Sequence, residues 1–211
     1  MIIRGKALVV WILVFGIIST ASASEFRAGQ DYDELSFPQP VTTGKNIEVQ
    51  EFFWYGCPHC YSFEPVLNNW IKNKPSNVTF IHSPSIANPS WEFHARLHFS
   101  LEAMGVANKM RQPVFNAIHK DRKRLDTVEG ATVLLAKHGI NRDEFLRAYN
   151  SFGVRLKLKR AGQNAMKYEI YGVPTVVVDG KYRTSPSKAR GEERMIEVMN
   201  FLIKKAANER R

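Results

Sequence analysis

Cysteine is nearly absent: the 211 residues contain two, Cys57 and Cys60. That scarcity excludes a disulfide framework, and the one bridge they could form would close too short a loop to remove much entropy from the unfolded chain. Long apolar runs are missing as well. The longest, Ala7 to Ile18, falls short of the roughly 20 residues a membrane-spanning helix needs. No internal repeat or low-complexity tract is present, so repeat and fibrous architectures are excluded. Acidic residues are few, 20 against 30 Lys plus Arg, for a net charge of +10. What the chain does have is 44% hydrophobic and 11% aromatic residues, enough to fill an ordinary core and to exclude intrinsic disorder. Its length suits one compact domain with at most a subdomain.

The first residues combine a basic start (Arg4, Lys6), the apolar run and the small-residue signal Ala21-Ser22-Ala23. This pattern predicts an export signal cleaved after Ala23, against the alternative of an uncleaved anchor. Cleavage would remove two basic groups and no acid, so the mature chain stays strongly basic. Arg155, Lys157, Lys159, Arg160 and Lys167 form a candidate nucleic-acid patch. With no nucleic-acid module in an exported chain, the patch reads as a solvated helix face, and no nucleic-acid partner is expected.

Residues 24–46 are polar and contain Pro38 and Pro40, which predicts a loosely held leading segment. Residues 47–55 (IEVQEFFWY) read as a central strand, apolar on much of both faces. A helix is expected from Pro58, since proline suits the first helical position, with a kink at Pro65. Val78 to His82 reads as the next strand. From Ser85 to about Phe152 only helical signals appear: Asn88-Pro89 opens one helix that stops at Gly105, Asp126 with Glu129 gives a capping box, Gly139 closes that helix, and Asn141 with Glu144 opens another. Pro174 to Val178, the turn Asp179-Gly180 and Lys181 to Arg183 predict a hairpin, and 191–207 a final helix. The order implies a mixed sheet flanked by helices, an α/β fold with an inserted helical block.

Both cysteines sit at the expected strand-to-helix junction. There, unpaired backbone N–H groups and the helix dipole favour negative charge on Cys57. His59 can add to this when protonated, and Pro58 offers no competing donor. A stabilised thiolate favours the dithiol and so makes the disulfide readily given away. Cys57 is the expected point of attack in mixed disulfides and Cys60, one turn on, the shielded resolving partner. A zinc site built from the CxxC with His94 and His98 is the alternative, but the spacing is long for a finger and the domain large. His82 reads as a packing residue. Glu51, in an otherwise apolar strand, is either a buried proton relay for the sulfurs or an edge carboxylate facing water.

The pattern E-F-F-x-x-x-C-P-H-C-Y at 51–61, Tyr149-Asn150-Ser151-Phe152, and Gly172-Val173-Pro174 before a Val-rich strand resembles the bacterial DsbA thiol:disulfide oxidoreductases. The resemblance implies a thioredoxin-like domain in two pieces, 24–84 and 153–211, with 85–152 as an all-helical insertion and 1–23 as signal peptide. It implies a periplasmic protein that oxidises unfolded exported substrates and is reoxidised by a membrane oxidase of DsbB type. Beyond the Cys57–Cys60 disulfide no metal or other cofactor is expected, and with no dimerisation segment evident a monomer is expected. Cys57 would match the family's nucleophile, Cys60 its partner and His59 its thiolate-stabilising imidazole. Pro174 would match a cis-proline facing the active site, with Val173 contacting the substrate peptide. One departure stands out: family members pair the buried glutamate with a lysine on the next strand, and residues 77–81 contain none. Two rival readings are a disulfide isomerase or reductase of the same compartment, and a peptide-binding chaperone with incidental cysteines.

Overall fold

The computed structural model describes residues 26–210, so the expected signal peptide lies outside the described residues. Five strands form one sheet: β1 (Asp33–Glu34), β2 (Ile47–Phe53), β3 (Val78–Pro84), β4 (Thr175–Val178) and β5 (Tyr182–Thr184), in the order β1-β5-β4-β2-β3. β2 pairs with β3 in parallel and with β4 antiparallel, and all seven of its residues are buried. This is the position of a strand apolar on both faces. It is two residues shorter than the sequence pattern suggests, because Trp54 and Tyr55 leave the sheet for the turn that carries Cys57.

Helix α1 (Pro58–Asn73) has proline in its first turn and continues through Pro65. Between β3 and β4 lie α2 (Pro89–Ala103), α3 (Ala107–His119), α4 (Val128–Lys137), α5 (Arg142–Tyr149) and α6 (Phe152–Lys167). Their starts follow local capping chemistry: the side chains of Asn88, Asn141 and Ser151 each accept from backbone N–H groups of the first turn. The α4 cap is Thr127, which accepts from Gly130 N, so the expected cap at Asp126 is one residue early. A short α7 (Pro186–Ala189) and α8 (Glu192–Glu209) complete the chain. Asp179 and Gly180 both have positive φ, 56° and 64°, as a tight hairpin turn requires.

One core lies between the sheet, α1 and α8, containing Val49, Phe63, Leu67, Val176, Met199 and Leu202; a second gathers Phe53, Tyr55 and both cysteines with Leu97, Phe115 and Phe145 of the helical block. The leading segment is not loosely held. Phe26, Tyr32 and Leu35 are buried, β1 pairs with β5, and the Phe26 ring meets Phe201 of α8 at 5.5 Å. Helix α6 packs on α2 through Val154, Leu158 and Ala161 against Ala95 and Phe99.

Candidate active site

The chain leaves β2 and turns so that Cys57 N–H donates to Trp54 O at 3.0 Å. Cys57 is then the N-cap of α1 with extended backbone, the position where the helix leaves N–H groups without intrahelical partners. Gly56 is required here by close approach: a Cβ on it would lie 2.2 Å from the Trp54 ring, and Trp54 is held by stacking on Trp91 at 4.6 Å. Gly56→Ala is expected to destabilise the protein by about 1–3 kcal/mol through overpacking, read from urea unfolding. An unchanged midpoint would show that the Trp54 ring has a second place to go.

The two thiols are unequal. Cys57 is 7% exposed and Cys60 fully buried, and both are free thiols. The Cys57 pKa is pulled from 9.0 down to about 6, first by the Cys60 thiol hydrogen-bonding to its sulfur and, against the cost of burial, by the backbone N–H groups of Cys60 and His59 and the His59 charge. Cys60 is driven strongly upward by burial, by its hydrogen bond to Cys57 and by the Glu51 charge. Pro58 and His59 are exposed. The peptide bond Val173–Pro174 is cis, and the Cys57 thiol meets the Val173 carbonyl at 3.4 Å. His59, Tyr171, Val173 and Pro174 line a cleft of about 610 Å³ beside the sulfur.

Glu51 is fully buried, which removes the reading as an edge carboxylate facing water. Its counter-charge is Arg111 and its second hydrogen-bond partner is His82, neither assigned that role from the sequence. Arg111 of α3 donates through Nη2 to Glu51 Oε2 at 2.8 Å and through Nε to Glu64 Oε1 at 2.7 Å, with a further Nη2 contact to Glu64. His82, the residue of β3 registered directly against Glu51, lies with Nδ1 2.8 Å from the same Oε2. Burial raises the pKa of both Glu51 and Glu64, and Arg111 opposes it. Arg111 also covers the Phe53 ring at 3.9 Å. His82 is thus bound into a charged cluster, more than a packing residue.

The two histidines of the zinc alternative are used elsewhere: His94 Nε2 is 2.8 Å from Leu125 O and His98 Nδ1 3.2 Å from the Tyr55 hydroxyl. Among the described residues no group of three or more His, Cys, Asp or Glu is placed to hold a metal ion. Of the basic patch, Lys157 pairs with Glu102, and Arg155, Lys159, Arg160 and Lys167 are exposed along α6.

Comparison with known proteins agrees with this geometry. Residues 85–200 match the family model of the DSBA-like thioredoxin domain. The chain is 42% identical over 192 residues to the thiol:disulfide interchange protein DsbA of Pseudomonas aeruginosa, covering 91% of this chain and 90% of that one. It is 44% identical over 182 residues to the protein of the same name from Azotobacter vinelandii, covering 86% and 85%. The crystal structure of Pseudomonas aeruginosa DsbA superposes with a TM-score of 0.85 at 41% identity, covering 89% of this chain and 97% of that one. A thioredoxin-like mixed sheet with helices inserted before its cis-proline strand, and two unequal thiols at the start of α1, therefore belong to a member of the DsbA family of thiol:disulfide oxidoreductases.

Proposed function

We propose that the chain donates a Cys57–Cys60 disulfide to unfolded exported proteins in the periplasm and is then reoxidised by a membrane oxidase of DsbB type. The inequality of the two thiols carries this reading. A substrate thiolate attacks Cys57 Sγ, the more accessible sulfur; the bond to Cys60 breaks, and its electron pair goes to Cys60, whose high pKa makes it take up a proton. A second substrate thiolate attacks the substrate sulfur of the mixed disulfide and expels Cys57 as the stabilised thiolate. The cleft beside Val173 and Pro174 holds the extended substrate chain, main chain against main chain, and His59 holds charge near Cys57. Glu51 supplies and recovers the Cys60 proton.

The disulfide is the only reagent in this scheme, and no metal, organic cofactor or second subunit takes part. The thioredoxin-like pieces 24–84 and 153–211 carry the chemistry, and the insertion 85–152 covers it and contributes Arg111.

The reduction potential tests the direction of transfer. Equilibrated in glutathione buffers, the protein is expected to have a potential well above the glutathione poise. A value near about −270 mV, that of thioredoxin, would make it a reductant and overturn the proposal. The potential should also show a break at pH about 6, where Cys57 titrates. Below it reduction takes up two protons per two electrons, a slope of about 59 mV per pH unit; above it one proton, about 30 mV. A single slope through this range would remove the stabilised thiolate.

A further inference from the structure

The buried cluster has one member that reaches solvent. The side chains of Glu51, Glu64 and Arg111 are 0, 1 and 4% exposed, and that of His82 is 13%. His82, with His98, Glu102, Ala107 and Asn108, lines a second cleft of about 300 Å³ that shares no lining residue with the cleft at the cis-proline. The surface therefore touches the cluster away from the substrate side, through a residue whose two ring nitrogens can each carry a proton.

We propose that His82 is a proton port: protons pass between the solvent of this second cleft and the buried Glu51 carboxyl through the His82 ring, and so reach and leave Cys60. The proposal rests on Glu51 acting as the Cys60 proton relay. Nδ1 lies 2.8 Å from Glu51 Oε2, and Nε2 has no protein partner among the described residues. The groups around the ring are Glu51 of β2, Arg111 of α3, Glu64 of α1, and His98 and Glu102 of α2. Burial and Arg111 hold the imidazole neutral, against the pull of Glu64. A neutral ring that donates from Nδ1 keeps Nε2 as an acceptor, so it can take a proton on one side as it releases one on the other.

The step balances without electron flow through the cluster. When the Cys57–Cys60 bond is opened by a substrate thiolate, its electron pair stays on Cys60 Sγ, which takes the Glu51 proton. His82 Nδ1 then returns a proton to Oε2, and Nε2 collects one from solvent. Reoxidation runs the same route outward. Glu51 Oε1, buried without a hydrogen-bond partner, is the oxygen left for the exchange with the sulfur.

The test follows disulfide opening by stopped flow when the oxidised protein is mixed with excess glutathione. His82→Gln keeps a donor to Oε2 and cannot shuttle; His82→Ala opens space for free imidazole. Both are expected to open roughly tenfold or more slowly at neutral pH, and added imidazole should restore His82→Ala and leave His82→Gln slow. Wild-type rates in the His82 variants, or a slow His82→Ala that imidazole does not rescue, overturn the port. Glu51→Gln separates the two readings: if it is slow while the His82 variants are fast, the relay stands and the port falls. If Glu51→Gln is as fast as wild type, the relay itself fails and takes the port with it. Should His82→Ala not fold, the near-isosteric His82→Gln decides, with its rate and the loss of the solvent deuterium isotope effect as readouts; a wild-type rate or an unchanged isotope effect overturns the port.

Discussion

Cys57→Ser is expected to abolish disulfide donation down to the uncatalysed rate, while Cys60→Ser still reacts and stops halfway. With glutathione disulfide, the Cys60→Ser protein should accumulate one glutathione per chain on Cys57, visible by intact mass, because the resolving sulfur is gone. These outcomes follow from burial, 7% against 0% exposure, and from the opposed shifts of the two thiols. A peptide-binding chaperone with incidental cysteines would keep its activity in both variants, and that result would overturn the enzyme reading. Stability carries a second signature. A depressed thiol pKa stabilises the reduced fold fully above the unfolded value of 9.0, and this stabilisation is lost as pH falls toward the folded value of about 6. The reduced wild type should therefore lose up to about 1.4 kcal/mol per pH unit across that window, and Cys57→Ser should not.

The elements nearest the sulfurs were legible because they obey local rules. Pro58 marks the helix start, alternation and aromatics mark β2, and Asp179-Gly180 marks the hairpin. The cis state of Pro174 was carried by the family resemblance alone, since spacing says nothing of peptide isomerism. The partners of Glu51 were not legible for two different reasons. His82 faces Glu51 only through the parallel register of β2 and β3, which no local pattern sets. Arg111 is 60 residues from Glu51 and resembles any surface cation of an amphipathic helix. A signal was present: it stands on the α3 stripe of Met110, Val114 and Phe115, all fully buried, where an arginine needs an acid. Glu64, between Phe63 and Leu67 on the buried stripe of α1, is its counterpart. The burial of the leading segment was not legible because Phe26, Tyr32 and Leu35 follow no period; Phe26 and Tyr32 pack in the core with α8, and Leu35 packs with Phe52, Tyr168 and Val177, long-range contacts outside the segment itself.

Arg111→Met should be the most destabilising substitution in the cluster, by about 3–5 kcal/mol at neutral pH, because it strands two buried carboxylates without their shared cation. The pH dependence identifies the cause. Glu51 and Glu64 both titrate above the ordinary value of 4.5 in the fold, with Arg111 the main force holding them down. Without it they rise further. An acid whose folded pKa is raised contributes stability that is present below the unfolded pKa and lost as pH climbs toward the folded one. Below pH 4.5 both carboxyls are neutral in either state, and only the lost packing of Arg111 on Phe53 remains as a deficit. The gap keeps that size until the pH at which the carboxyls ionise in the wild-type fold, and above it grows by up to about 1.4 kcal/mol per pH unit for each carboxyl. Urea unfolding of wild type and variant at pH 4 and pH 7 should thus show a small gap that widens. Adding Glu51→Gln and Glu64→Gln to Arg111→Met should recover most of the loss at pH 7, since the stranded charges are then gone. An equal gap at both pH values would mean that Arg111 stabilises by shape alone, and the charge of Glu51 would then have to be set by His82 without it.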